Sequence, residues 1–126
     1  MWPFRTADPE ESFRNDLAGH FAGFLRAARA RGKPQGLRWV ATEPTGDVVF
    51  GTEKTSGRRV ALAGVRVRFE PVEGEDMEEV AAAYEDRDAT ALFWFDGNAW
   101  GSDGRVLFNL GPGDAAERLA DEIIST

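Results

Sequence analysis

The stretch Arg59–Glu70, RVALAGVRVRFE, limits the fold of this chain more than any other. Its residue types favour extended backbone. At one parity Ala61, Ala63, Val65, Val67 and Phe69 form an apolar face while Arg66 and Arg68 point the other way, which is the pattern of a half-buried strand. Val60 and Leu62 break that alternation. The first half of the strand is therefore either covered on both faces or shifted in register by a bulge or bend near Gly64. Twelve extended residues span ~40 Å, rather long for a small domain, and a bend at Gly64 relieves that length.

The flanking sequence supplies further elements. Asp8 suits an N-cap, Pro9 the first helical position, and Glu11 completes a capping-box-like arrangement. Phe13, Leu17, Phe21, Phe24 and Ala28 share a stripe, and Gly32 and Pro34 stop it, so the spacing predicts one helix over 9–31. LRWVATE (37–43) and VVFGTE (48–53) read as strands joined by a turn at Pro44–Asp47, and Lys54–Gly57 turns the chain into the long strand. Three strands on short turns predict an antiparallel meander with sequential pairing.

The acidic interval Glu70–Asp88 is too long for a hairpin loop. Met77, Val80, Ala81 and Tyr84 follow helical spacing behind Asp76, which predicts a short helix near 77–86, with an extended acidic loop as the alternative. ATALFWFD (89–96) is apolar at both parities, as in a strand covered on both faces or covered on one by an oligomer partner. Asp96–Asn98 and Ser102–Gly104 are turn signals, Ala99–Gly101 is at most a short strand, and Arg105–Leu110 is a final strand. Beyond it, Ala116, Leu119, Ala120 and Ile123 predict a closing helix that starts at Pro112 or Asp114.

Composition bounds the class. With 126 residues, 42% of them hydrophobic and 29% charged, the chain can bury a core without staples. The absence of cysteine removes disulfides, thiolate nucleophiles and cysteine zinc sites, and fits a reducing compartment. The opening MWPFRTADPEE has no apolar run of signal length, and no run approaches a membrane span. A net charge of −7 argues against nucleic-acid or anionic-membrane partners, although Arg58, Arg59, Arg66 and Arg68 gather positive charge locally. The expected location is cytoplasmic.

Tests for chemistry return little. Gly111-x-Gly113-x-x-Ala116 resembles half of a dinucleotide fingerprint, but Pro112 stiffens the loop, Asp114 opposes phosphate, and no second parallel strand follows. Glu73, Glu75, Asp76 and Glu79 are oxygen donors without the spacing of a calcium loop, and a solvated acidic face explains them better. His20, the single histidine, sits at the edge of the first helix's apolar stripe as a boundary side chain. No serine lies in a nucleophile-elbow context. Trp94 and Trp100 flank the Asp96–Gly97 turn; with Phe93 and Phe95 beside them, they either form part of a contact surface or are buried under helices on both faces of the sheet.

The element order predicts an α+β domain over 8–126 after a tail at 1–7, with an antiparallel sheet of five or six strands packed by an N-terminal and a C-terminal helix. In element order it resembles the small acidic chaperones of type III secretion and profilin-type folds; no residue motif matches either, and no site is carried over. The residues specify no activity. The class they favour is a small, acidic, non-catalytic protein-interaction domain, adaptor or chaperone-like, that binds a protein partner or itself through Trp94, Trp100, Arg66 and Arg68. The alternative is a small-molecule-binding protein or enzyme with a pocket between the N-terminal helix and the sheet. No cofactor, metal, catalytic residue, nucleic acid or membrane is expected.

Overall fold

The computed structural model describes residues 8–31, 37–71 and 86–125. Two helices open it, α1 (Pro9–Asn15) and α2 (Leu17–Arg31). The Asp8 carboxylate accepts the Glu10 N–H at 2.9 Å, as its N-cap position leads one to expect. The single helix expected over 9–31 is divided at Asp16, whose backbone (φ −138°, ψ 49°) leaves the helical region. Asp16 ends α1 by donating its N–H to the Phe13 carbonyl, and it starts α2 by accepting the Gly19 N–H at 3.2 Å on its carboxylate. An aspartate is more stable capping a helix than inside one. The break sets the Phe13 and His20 rings parallel, with centroids 5.0 Å apart.

The strands are β1 (Leu37–Glu53), β2 (Arg59–Pro71), β3 (Arg87–Phe95), β4 (Trp100–Gly101), β5 (Val106–Phe108) and β6 (Ile123–Ser125), with a third helix, α3 (Pro112–Arg118), between the last two. They form one antiparallel sheet in the order β4-β3-β2-β1-β6, and β5 pairs with β3 alongside β4. The fold is thus α+β, a six-stranded antiparallel sheet with helices from both ends of the chain. The expected helix near 77–86 falls, apart from Asp86, outside the described residues. Among the described residues no helix is long and apolar enough to cross a membrane.

Two further expectations are corrected. Residues 44–47 do not form a hairpin turn: Pro44 pairs with Val65 and Val48 with Ala63, so Thr45, Gly46 and Asp47 bulge out of one continuous strand opposite Gly64. The Thr45 hydroxyl closes the bulge by accepting the Asp47 N–H at 3.2 Å, and Gly46 takes the positive φ of 94° that such a reversal needs. Strand β2 itself keeps an unbroken register with β3 through Gly64. The bulge belongs to its neighbour, and Gly64 is the residue that makes room for it, because a Cβ there would strike the Thr45 hydroxyl.

The second correction concerns the C-terminus. The closing helix ends at Arg118, and after a turn the chain runs as β6 against Gly51–Glu53. Ile123 and Ile124 are β-branched and favour strand, and Gly51 has no side chain to obstruct them. Leu119 and Ile123 are still buried as expected, whereas Ala120 is exposed.

Two apolar layers enclose the sheet. Under α1 and α2, Phe93 lies at the centre of a ring cluster, with centroids 5.0 Å from Phe13 and 5.2 Å from Phe21, and Trp39 meets Phe69 at 4.8 Å. On the opposite face Ala115, Leu119 and Ile123 cover Val60, Leu62 and Leu92. The first half of β2 is therefore buried from both sides. Strands β4, β5 and β6 are two or three residues long and β1 is bulged twice along its pairing with β2, which are ordinary defences of a sheet edge.

Candidate functional site

The turn between β3 and β4 is built by one side chain. The Asp96 carboxylate accepts the N–H groups of Asn98 and Ala99, both at 2.8 Å, and Gly97 takes a φ of 98°. Those N–H donors, Ala99 first and then Asn98, hold the carboxyl below its ordinary pKa. The turn separates the two tryptophans onto opposite faces of the sheet. Phe93, one residue before Trp94, belongs to the layer under the helices, and Trp100, paired with Phe95, joins that same layer.

Trp100 is a core residue, 8% exposed, with its ring N–H donating to the Pro9 carbonyl at 2.8 Å and its ring in an edge-to-face contact with Phe13. Trp94 is half-buried on the other face, beside Leu92 and the α3 layer. The Arg58 guanidinium lies over its ring, 5.5 Å from the centroid. Glu53 fixes that guanidinium, accepting from Arg58 Nη2 at 3.0 Å and from the Ser56 hydroxyl. The Ser56 bond, then Arg58, hold the Glu53 carboxyl below its usual pKa; the Trp94 ring N–H adds a smaller, looser contribution and makes no well-formed hydrogen bond.

Beside Trp94 and Arg58 opens a hollow of about 320 Å³, bounded by the turn and by Trp100–Asp103. A second hollow of about 320 Å³ lies between α2 and β4, lined by Gly19, His20, Gly23 and Arg26 and closed by Trp100, Gly101 and Ser102. The two thus share β4 as a wall. Loop 102–105, which holds this wall, is clamped to α2: the Arg31 Nε donates to the Asp103 carbonyl at 2.9 Å, and Gly104, at φ 87°, lies so close that a Cβ would be 2.7 Å from the backbone of Ala27 and Ala28.

The polar groups here are engaged in holding structure. The Ser102 hydroxyl donates to the Leu92 carbonyl at 2.9 Å and accepts the Gly104 N–H, and the Asp103 carboxylate accepts the Arg105 N–H. His20 Nε2 is buried without a hydrogen-bond partner among the described residues. Among the described residues no three His, Cys, Asp or Glu side chains converge in a way that could hold a metal ion.

Arg66 and Arg68 lie elsewhere, at the far end of β2. Arg68 makes a two-pronged contact to Asp86, at 2.8 Å and 3.3 Å, and Arg66 Nε is 3.5 Å from Asp88. The hydrogen bonds that Arg68 donates to the carboxylate lower the Asp86 pKa and raise that of Arg68. Of the four residues singled out by sequence, Trp94 and Trp100 border one hollow, and Arg66 and Arg68 sit together away from it. Glu53 was not singled out, Arg58 was noted only as part of a local cluster of positive charge, and His20 only as a boundary side chain. Arg58 meets Trp94 because Val60 pairs with Trp94 and Arg58 is two residues along the same face, a relation that needs the β2–β3 register.

No protein-family model, no curated protein and no solved structure matches this chain. The resemblance in element order to secretion chaperones and profilin-type folds gains no support from them.

Proposed function

We propose that this chain is a small, acidic, non-catalytic protein-interaction domain that takes a protein partner at the β3–β4 hairpin, with Trp94 and Arg58 as the contact platform. One observation carries the reading: the Arg58 guanidinium, fixed by Glu53, lies over a partly buried tryptophan beside an open hollow of about 320 Å³. Trp and Arg supply much of interface energy, and a side chain already held in place loses less entropy on binding. The neighbouring carboxylates and hydroxyl serve the turns, which favours binding over catalysis. Pairing of Arg66 and Arg68 with Asp88 and Asp86, with the net charge of −7, argues against nucleic acid. The lack of cysteine fits a cytoplasmic location.

The test is affinity capture from native lysate with the wild-type chain and with Trp94→Ala and Arg58→Ala, each checked for folding. The reading expects a specific protein that the wild type retains and both variants lose; an identical set from all three baits sinks it. If the captured protein is the chain itself, sedimentation of the same variants shows the association weakened. A second reading, a small-molecule site, draws on the α2–β4 hollow, where the buried Nε2 of His20 lacks a partner. Thermal-shift screening with metabolites, repeated on Gly23→Leu, decides it.

A further inference from the structure

We infer that the partner enters as an extended segment that adds to the sheet as a strand beside β4, an inference that rests on the protein-binding role proposed above. The main chain of β4 is available for this. The Asp96 N–H bonds to the Ala99 carbonyl, and Phe95 then pairs with Trp100 and Trp94 with Gly101. Antiparallel pairs alternate between hydrogen-bonded and non-bonded. Since Asp96 and Ala99 are a bonded pair, Phe95 and Trp100 are not, so the N–H and C=O of Trp100 face away from β3. Among the described residues no strand lies on that side. Trp100 itself is 8% exposed; its neighbour Gly101 is exposed, and a Cβ there would meet nothing within 4 Å among the described residues.

The side chains of an added strand would also find places. Successive residues of a strand point to opposite faces, and here one hollow opens on each face, with Trp100, Gly101 and Ser102 bounding both. Strand addition draws affinity from the main chain and specificity from pockets that take alternate side chains. The two hollows differ in charge. On the Trp94 side, Asp96 and Asp103 stand against Arg58, whose charge Glu53 already matches, and Arg31 approaches Asp103 only to 3.6 Å. On the α2 side stands Arg26, which no described carboxylate pairs, with no carboxylate in the lining. The occupant is therefore a partner segment with a basic residue adjacent to an acidic one, the basic side chain toward Asp96 and Asp103 and the acidic one toward Arg26.

Selection of random decapeptides displayed on phage against the full chain tests this, with affinities of the selected peptides measured by fluorescence anisotropy. The expected peptides carry an adjacent basic–acidic pair. A scan of main-chain N-methylation through the peptide is expected to lower affinity at least tenfold at the residue that pairs with Trp100 and little at its two neighbours, because β4 turns one residue's N–H and C=O outward. Arg26→Glu, a surface change, is expected to reverse the preference at the acidic position. Peptides whose binding is lost in Trp94→Ala but whose N-methyl scan shows no sensitive position overturn strand addition and leave the protein-binding role standing. A selection that yields only peptides indifferent to both Trp94→Ala and Arg26→Glu overturns both.

Discussion

The two halves of β2 carry the same kind of side chain toward α1 and α2 and different kinds on the opposite face. Toward the helices Ala61, Ala63, Val65, Val67 and Phe69 are all buried. On the other face Val60 and Leu62 lie under α3 and β6, Gly64 lies under the bulge of β1 and the Pro112 ring, and Arg66, Arg68 and Glu70 are exposed. One strand thus passes from a three-layered region to a two-layered one. Its second face marks where cover ends: apolar under the helix, glycine at the crossing, charge beyond.

The severest way to break that comparison is to bury a charge in each half. Val67→Asp and Leu62→Asp each put a carboxylate at a site of 0% exposure, without a partner. The desolvation cost removes a large part of the ~5–15 kcal/mol by which domains of this size are stable. Both variants are expected to lose the cooperative thermal transition in circular dichroism. A normal melt for Leu62→Asp alone would show that α3 does not cover the second face, and one for Val67→Asp that the inward face is misassigned.

Glycine 64 is the next point of leverage. In Gly64→Ala the added Cβ meets the Thr45 hydroxyl, with Asp47 O and Pro112 Cγ each 3.4 Å away. Overpacking of this kind costs about 1–3 kcal/mol. Urea denaturation should show that loss in the wild-type background and a smaller one alongside Thr45→Ala, because the pair are in contact. Equal losses in both backgrounds would place the bulge elsewhere.

These residues also show what the sequence could and could not convey. The inward face of β2 was legible because its period of two is local, and the α+β class followed from element order. The bulge was not. Pro-Thr-Gly-Asp has the composition of a turn whether the chain reverses or merely loops out, and only the pairing of Pro44 with Val65 and Val48 with Ala63 distinguishes the two. The C-terminal strand was hidden for a similar reason, since Leu119 and Ile123 at i, i+4 satisfy a helical stripe and also a turn that leads into a strand. Asp16 did carry a signal, an N-cap residue three before Gly19, masked by an apolar stripe that runs through the break. For the candidate site, Trp94 and Trp100 were visible as residues, but their separation onto two faces depends on the parity set by the Asp96 turn. Arg58 becomes significant only through the register that places it over Trp94.

The Glu53–Arg58 pair at the buried end gives a smaller effect that depends on pH. The folded pKa of Glu53 lies below its ordinary 4.5, through the Ser56 hydroxyl and Arg58. A depressed carboxyl stabilises the fold above its unfolded pKa, and that stabilisation is lost as pH falls through the folded value. Wild-type stability should therefore decline on acidification below 4.5 more steeply than that of Glu53→Gln, with the two curves converging at low pH. Parallel curves would mean that Glu53 is no better held in the fold than in the unfolded chain.

The smallest effect is expected at the exposed end. Arg68 and Asp86 make the best-formed ion pair there, two-pronged at 2.8 Å and 3.3 Å, yet their side chains are 60% and 39% exposed. Water screens such a pair, and holding a long arginine in one rotamer offsets much of what the attraction supplies. Removing either partner leaves the other hydrated rather than stranded, unlike a charge placed at Leu62. A double-mutant cycle with Arg68→Ala and Asp86→Asn should give a coupling that is small at low salt and absent at high salt, because ions screen exposed charges over about 10 Å at 0.1 M. A coupling that survives high salt would mean that this face is shielded from solvent, in which case the division of β2 into covered and open halves no longer holds.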